Sequence, residues 1–401
     1  MLAPLSWLKE YVDIDVTPKE LEEKLFSCGF EVEELIEVGK DVSNVVVGYV
    51  EECEPIPDTH LSLCKVNAGA HGTFQICCGA DNVCKGGKFP LALIGATVYA
   101  TAKDHKTIEG VMEIKAGKLR GYDSFGMLCS GTELGLDDNL YPGAGYNGLL
   151  VLPEDAEIGA DVKPILGMDD WIFDIAITAN RPDCQSIYGI AREVAAVLGK
   201  ECKPLDLSYT ETGVTKTPFS VSVEAQDICP RYVAHYVYDV EIKESPAWMR
   251  RRLALVGCDS ISNVVDITNY VLKELGQPMH AFDYAYLEGD QINVRRAGDG
   301  EKIVTLDNKE FALDNSNLSI AMSASVWSKT RRPPEGRMTS RLVTESSCLS
   351  RPKRSHIVWR WSLCSLMWKF LRSGKMTSIT PSRRFFVSSS SVQISSISSE
   401  R

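Results

Sequence analysis

The sequence predicts a multidomain α+β chain in which a small, discontinuous α/β domain is interrupted by an inserted β-barrel and followed by a second α+β region. Three observations predict it. Short alternating apolar runs punctuated by glycine fill residues 40–150; a strand-helix pattern stands on each side of them; and alternation resumes after a linker-like stretch at 200–217, from Lys203-Pro204 through Thr217-Pro218. At 401 residues the chain has room for two to three domains, each with its own core.

The first element is a short strand-helix unit. Thr17 is placed to cap a helix, Pro18 suits its first position and Glu20 completes a capping box, with Leu21, Leu25 and Phe26 expected to face inward before Gly29. The runs Val45–Val50, Leu61–Val66 and Phe89–Leu93, separated by Gly69, Gly79, Gly86-Gly87 and Gly95, read as strands of a small barrel. Residues 172–199 then give a strand through Ile172, Asp174, Ile175 and Ile177, a join at Asn180-Arg181-Pro182-Asp183, and a helix. Asp183 is its expected N-cap, Ile187, Ile190, Ala191, Val194 and Leu198 its apolar stripe, and Gly199 its stop. The opening segment lacks a core of its own, so residues 1–39 and 151–200 are expected to form one domain, with 40–150 inserted. Residues 213–320 form the next α+β region. There Ser245-Pro246 is expected to cap and open one helix. Val264, Val265, Ile267, Val271, Leu272 and Leu275 bury a second that stops at Gly276, leaving Thr268 and Asn269 together in mid-helix.

Charge divides the chain again. The net charge of −11 hides a break near residue 320: residues 321–401 carry 15 Lys+Arg against 3 Asp+Glu, while residues 1–320 carry 28 against 51. Beyond Asp314 there is no aspartate, yet four of the seven tryptophans lie there, together with serine runs such as Ser388–Ser391. A basic, Ser/Arg-rich disordered tail has this charge, and so does a shifted reading frame; tryptophan and phenylalanine favour the frame shift. Residues 321–401 are therefore expected to be an aberrant, disordered tail without a function. The thirteen cysteines contain no CxxC pair, which argues against a structural metal and for thiols in a reducing cytoplasm. No basic, apolar leader opens the sequence and no apolar run of about 18 residues follows, so the expectation is a cytoplasmic chain without a membrane span.

Two stretches carry chemistry. Residues 85–120 hold Lys85, Lys88, Lys103, Lys106, Lys115, Lys118 and Arg120 against Asp104, Glu109 and Glu113, a basic edge on an acidic chain. Such an edge suits phosphate, though charge alone favours a solvated rim. The segment Ile114–Leu136 is more specific: it resembles the signature of the tRNA-binding OB-fold module found in the β chain of bacterial phenylalanine-tRNA ligase and in some other synthetases and accessory factors. Cys77–Val83 and Pro90–Ala96 are similar to further parts of that module, whereas Pro55–His60 stands where the family commonly has a His-Pro-Asn-Ala-Asp-type turn. The resemblance implies tRNA contacts from Lys115, Lys118, Arg120, Ser124, Met127 and Ser130.

The join at 180–183 and the block Asn263–Asp283 resemble the same β chain, the latter at the start of its editing domain. In that family the domain hydrolyses tyrosine wrongly attached to tRNA(Phe). An apolar pocket rejects an added hydroxyl by only about a hundredfold, which is why a second, hydrolytic site helps. Thr268, Asn269 and His280 match the pocket positions. The resemblance implies that Thr268 and Asn269 position substrate or water and that His280 contacts water or ribose. After a segment like Val304–Glu310 the family continues into a glycine-rich loop and a glutamate-bearing strand that form the opposite wall. Here Ser319-Ile320 leads into the basic tail instead, so weak or absent editing is expected. The resemblance further implies a catalytic α-chain partner, two copies of each, with ATP and Mg2+ used through the α chain. No G-x-x-x-x-G-K-[ST] loop occurs, and this chain alone is not expected to form an aminoacyl-adenylate. A non-enzymatic tRNA-binding fragment and a partly folded truncated product are the alternatives.

Overall fold

In the computed structural model, the described residues are 1–102, 104–208, 217–304, 309–321, 355–360 and 387–388. They fall into two compact units, Met1–Lys203 with Ala247–Asp259, and Pro204–Pro246 with Ser260–Arg401. The chain is α+β and multidomain.

The first unit runs β1 (Leu2–Pro4), α1 (Leu5–Leu8), α2 (Pro18–Ser27), β2 (Glu31–Glu37), β3 (Ser43–Pro55), β4 (Ser62–Asn67), β5 (Thr73–Cys78) and β6 (Lys88–Thr101). It continues through β7 (Ile108–Glu113), β8 (Gly117–Leu119), β9 (Tyr122–Ser124), β10 (Met127–Leu128), α3 (Val162–Leu166), β11 (Trp171–Ala176) and α4 (Ile187–Leu198), and takes in α5 (Ala247–Leu255). A three-stranded antiparallel sheet has the order β1-β11-β2, so the strand that follows the β3–β10 segment lies between two strands that precede it. Ile172, Phe173 and Ile175 of β11 are all buried, and a register shift between Asp174 and Ile175 leaves Glu33 of β2 as the extra, unpaired residue.

Helix α2 begins with the capping box: Glu20 N donates to Thr17 Oγ1 at 3.3 Å and Thr17 N donates to Glu20 Oε2 at 2.8 Å. Leu21 and Leu25, four residues apart, are fully buried, but Phe26 is 49% exposed. Its position, about 100° round the helix from Leu25, carries it off the buried stripe. Helix α4 corrects a second expectation. Its N-cap is Ser186, whose hydroxyl accepts from Gly189 N at 3.1 Å, while Asp183 sits in a separate turn, Pro182–Cys184. Asp183 is drawn away because its carboxylate takes two hydrogen bonds from Arg181.

The inserted segment forms a six-stranded sheet, ordered β10-β6-β3-β4-β5 with β7 also on β6. No strand ladder closes it among the described residues. Its ends nevertheless meet, because Phe125 N donates to Gln75 O at 2.9 Å, Gln75 Nε2 to Asp123 O at 2.7 Å and Cys77 N to Ser124 Oγ at 3.1 Å. Both faces of β3 are buried. Val45 and Val47 pack with Ala92, Val98, Leu134 and Leu150, whereas Val46 and Val50 pack with Val66, Ile76 and Leu91. Gly48 permits this crossing, since a Cβ there would lie 2.8 Å from Val66 Cγ1 and 2.9 Å from Leu91 Cβ.

The second unit contains β12 (Ser220–Val223), β13 (Ala234–Val240), α6 (Asn263–Leu275), β14 (Ala281–Asp283), β15 (Gln291–Arg296), β16 (Lys302–Val304), β17 (Glu310–Ala312), β18 (Leu318–Ala321), β19 (Ser355–Arg360) and β20 (Val387–Ser388). One sheet runs β12-β15-β18, a second β14-β19-β13-β20, and β16 pairs with β17. Most of the sequence after 321 lies outside the described residues. Val264, Val265, Ile267, Tyr270 and Val271 bury one side of α6, Leu272 is 38% exposed, and Gly276 ends the helix at φ +72°. The Ser245 hydroxyl bonds the Asp266 carboxylate rather than serving only the start of α5.

Candidate functional site

Three residues of the basic edge, Lys115, Lys118 and Arg120, lie at or beside the β8–β9 hairpin. Leu119 pairs with Tyr122, leaving a two-residue turn, Arg120-Gly121, with φ +52° and +96°. Positive φ at both central positions is what a tight hairpin turn matching strand twist requires. Glycine accepts it freely; arginine at αL costs roughly 1–2 kcal/mol. Lys115 and Lys118 are exposed, with carboxylate partners at 3.6 Å each, Glu113 and Asp123. Such solvated pairs contribute little to stability. Two aromatic side chains accompany them, Tyr122 at 39% and Phe125 at 42% exposure.

Other expected contacts have structural partners. Ser124 is buried, and its hydroxyl accepts from Cys77 N and donates to Gly126 O at 3.2 Å, so it joins the ends of the sheet. Ser130 and Glu133 form a reciprocal cap: Ser130 N and Oγ donate to Glu133 Oε2 at 2.7 and 2.9 Å. Met127 packs against the core containing Val45 and Leu134. Lys88 is not part of the exposed edge, because its ammonium donates to the Glu154 and Ala156 carbonyls, each at 2.6 Å. Lys103 lies outside the described residues. In the neighbouring loop the Thr107 and Lys106 amides hold the Asp104 carboxyl down at about 2.

In the second unit, Thr268 and Asn269 are neighbours on α6 and half-buried, and the Thr268 hydroxyl donates to Val265 O at 2.6 Å. His280 follows the helix, and its ring stacks on Phe282 with centroids 6.1 Å apart. What fixes α6 is a pair of residues that pattern reading passed over. Asp266, fully buried, accepts from Ile261 N at 2.9 Å and from the Ser245 and Ser260 hydroxyls. Asn263 accepts from Lys243 N at 3.2 Å and donates to Glu241 O at 2.9 Å. The available signal was an acid and an amide flanking Val264, Val265 and Ile267 on an apolar face. A cavity of about 60 Å³ in the first unit, lined by Val38, Tyr99, Leu134 and Arg251 among others, touches none of the candidate residues.

Asp183, Cys184 and Glu193 are grouped closely enough to hold a cation. Arg181 already supplies one, at 3.1 Å from Asp183 and 2.7 Å from Glu193, with its guanidinium 5.1 Å from the Phe30 ring centroid. The Asp183 bond raises the Arg181 pKa and is the main cause that lowers the Asp183 carboxyl. Burial pushes the Cys184 thiol up to about 12.

Residues 45–161 match the family described as "Putative tRNA binding domain", and residues 228–329 match the B3/4 domain. The first class the chain falls into is therefore that of chains carrying a domain of each kind. The chain belongs to the family of phenylalanine–tRNA ligase β subunits, resembling their N-terminal part. It is 42% identical over 322 residues to the β subunit of Clostridium acetobutylicum, covering 80% of this chain and 39% of that one. It is 45% identical over 323 residues to that of Bacillus cereus, again covering 80% and 39%. The chain thus spans about two fifths of the length of these relatives. An N-terminal fragment of the phenylalanyl-tRNA synthetase β-subunit from Pyrococcus horikoshii overlaps 49% of this chain and 57% of its own at 17% identity, with a TM-score of 0.23. Among the described residues no helix is long and apolar enough to cross a membrane.

Proposed function

We propose that this chain binds tRNA(Phe) through an OB-type module spanning residues 40–150, as a β subunit whose α-chain partner performs ATP- and Mg2+-dependent aminoacylation in the cytoplasm. The observation that carries this reading is Arg120. A strained arginine at a hairpin tip, where asparagine or glycine would fit without cost, between exposed Lys115 and Lys118, indicates a position retained for its charge. Neutralising phosphates with such side chains releases counterions and makes binding salt-dependent. Tyr122 and Phe125 add faces on which unpaired bases can stack. Reversing the charge of Lys115, Lys118 and Arg120 together is expected to lower tRNA affinity and flatten its dependence on salt, measured by filter binding or anisotropy. Unchanged affinity and slope would remove the hairpin from the interface.

The second unit supports a hydrolytic reading built on Thr268, Asn269 and His280. Water attacks the ester carbonyl of Tyr-tRNA(Phe), the carbonyl-oxygen bond to the ribose breaks, and free tyrosine leaves. Thr268 and Asn269 would position water or the tyrosine hydroxyl, with His280 contacting water or ribose. Because composition changes near residue 320, where the family's opposite wall should begin, this chain is expected to deacylate Tyr-tRNA(Phe) weakly or not at all. That change of composition also favours the second reading, a tRNA-binding fragment without catalysis. The discontinuous domain of residues 1–39 and 151–200 would then serve as a frame for the tRNA-binding module.

A further inference from the structure

Cys53 on β3 stands directly opposite Cys64 on β4 in the antiparallel register. Their sulfurs are 3.7 Å apart, with the Cys64 thiol donating toward Cys53. Directly opposed residues have Cβ atoms about 4.5–5.5 Å apart, and a disulfide takes sulfurs at about 2.0 Å and Cβ atoms at about 3.5–4.5 Å, so closure needs side-chain rotation together with a small approach of the two strands. Access differs between the two thiols. Cys64 is 1% exposed and pushed up by burial, whereas Cys53 is half-buried at the margin of the same apolar cluster. Cys77 and Cys78 lie on the next strand opposite Leu63 and Ser62, and neither faces Cys53 or Cys64 across a ladder rung.

We propose that Cys53 and Cys64 are an oxidative modification site that closes to a reversible cross-strand disulfide. With a peroxide as oxidant, the Cys53 thiolate attacks one peroxide oxygen, the O–O bond breaks, and the departing hydroxide takes a proton to become water. Cys53 is then a sulfenic acid. The Cys64 sulfur attacks the Cys53 sulfur, the S–O bond breaks, and the leaving hydroxide takes the Cys64 proton as a second water. Two thiols lose two electrons and one hydrogen peroxide gains them; a dithiol reverses the step by exchange. Because burial suppresses the Cys64 thiolate, closure is slow and calls for sustained oxidation rather than a trace of it. Its effect is to pin the loop between β3 and β4, which already holds itself by Ile56 N donating to Leu61 O at 2.8 Å. The cross-link also restricts the unfolded chain and so raises stability.

The test treats the full chain with hydrogen peroxide, blocks remaining thiols with N-ethylmaleimide, and maps peptides by mass spectrometry beside Cys53→Ser and Cys64→Ser. The expected result is a Cys53–Cys64 peptide lighter by two hydrogens, reopened by dithiothreitol, with a higher unfolding temperature in the oxidised parent and no such shift in either variant. Full alkylation of both residues, a bridge from either one to Cys77 or Cys78, or a cross-link between chains would overturn the proposal. None of these readouts involves tRNA, so a failure here leaves the nucleic-acid reading unaffected.

Discussion

The inserted six-stranded sheet and the region after residue 217 are built from the same kinds of pattern, yet they differ in how much of each is buried. Of the twelve largest fully buried side chains among the described residues, Tyr270 alone belongs to the second unit. The segment between β3 and α3 holds two apolar clusters and joins its own ends through Gln75, Cys77, Asp123, Ser124 and Phe125. In the second unit the β16–β17 hairpin leaves Ile303, Val304 and Phe311 exposed by 48%, 60% and 49%. The inserted sheet buries its core together with Leu152, Val162, Leu166 and Met168, which follow it in the sequence. The second unit places Thr268 and Asn269 on a well-anchored helix and His280 just beyond it, while the strands proposed to enclose them run into the change of composition. Binding and hydrolysis are therefore expected to part company in this chain.

The largest effect that could break this contrast is in the cores. Phe89→Ala, at a site 1% exposed, is expected to cost about 3–5 kcal/mol, whereas Phe311→Ala should stay within about 0.5 kcal/mol in chemical denaturation. Equal losses would mean that the two regions are equally packed. Next comes the anchor of α6. Asp266→Ala strands the Ser245 and Ser260 hydroxyls and Ile261 N, and a loss of roughly 2–3 kcal/mol confined to the second unit is expected, read by hydrogen exchange across residues 260–275. Loss of protection in the barrel instead would show that the two regions do not respond separately.

Acid sharpens the comparison further. Glu301 accepts from Arg295 at 2.9 and 3.2 Å, and that pairing, with help from Gly298 N, lowers its pKa in the folded chain. A depressed carboxyl stabilises the fold above its unfolded pKa of about 4.3 and loses that contribution as pH falls through the lower folded value. The urea midpoint of the second unit should accordingly fall between pH 5 and 3, a range set by the carboxylate values of about 3.9–4.3, and Glu301→Gln should flatten that fall. An unchanged slope would show that the pair contributes nothing. The smallest effect is at the hairpin tip. Arg120→Asn should stabilise the chain by roughly 0.5–1 kcal/mol while weakening tRNA binding, and a variant that lost stability would contradict the strain at this turn.

Local signals in the sequence were readable where the interacting groups are close along the chain. The Thr17–Glu20 box and the left-handed glycines Gly199 and Gly276 needed only a few residues of context. Asp183 was misread as a cap because a serine three residues later does the capping, and an arginine two residues earlier holds the aspartate. Phe26 was placed inside by its apolarity, although Leu21 and Leu25 already define the buried stripe. The rest depended on distance in sequence. Ser124 is buried because Cys77 reaches it across 47 positions, and Lys88 leaves the basic edge for carbonyls 66 and 68 positions away. At the candidate pocket, Thr268, Asn269 and His280 came from motif resemblance, whereas Asp266, which holds their helix, could be noticed only as an acid on an apolar face.

The proposed separation of tRNA binding from hydrolysis is tested most directly by presenting the full chain with Tyr-tRNA(Phe) and following binding and deacylation in the same sample. The account predicts salt-dependent binding that charge reversal of Lys115, Lys118 and Arg120 weakens, with tyrosine released no faster than in buffer. Rapid release that Asn269→Ala abolishes would contradict it, because the pocket would then be functional without the wall that the family places after residue 320.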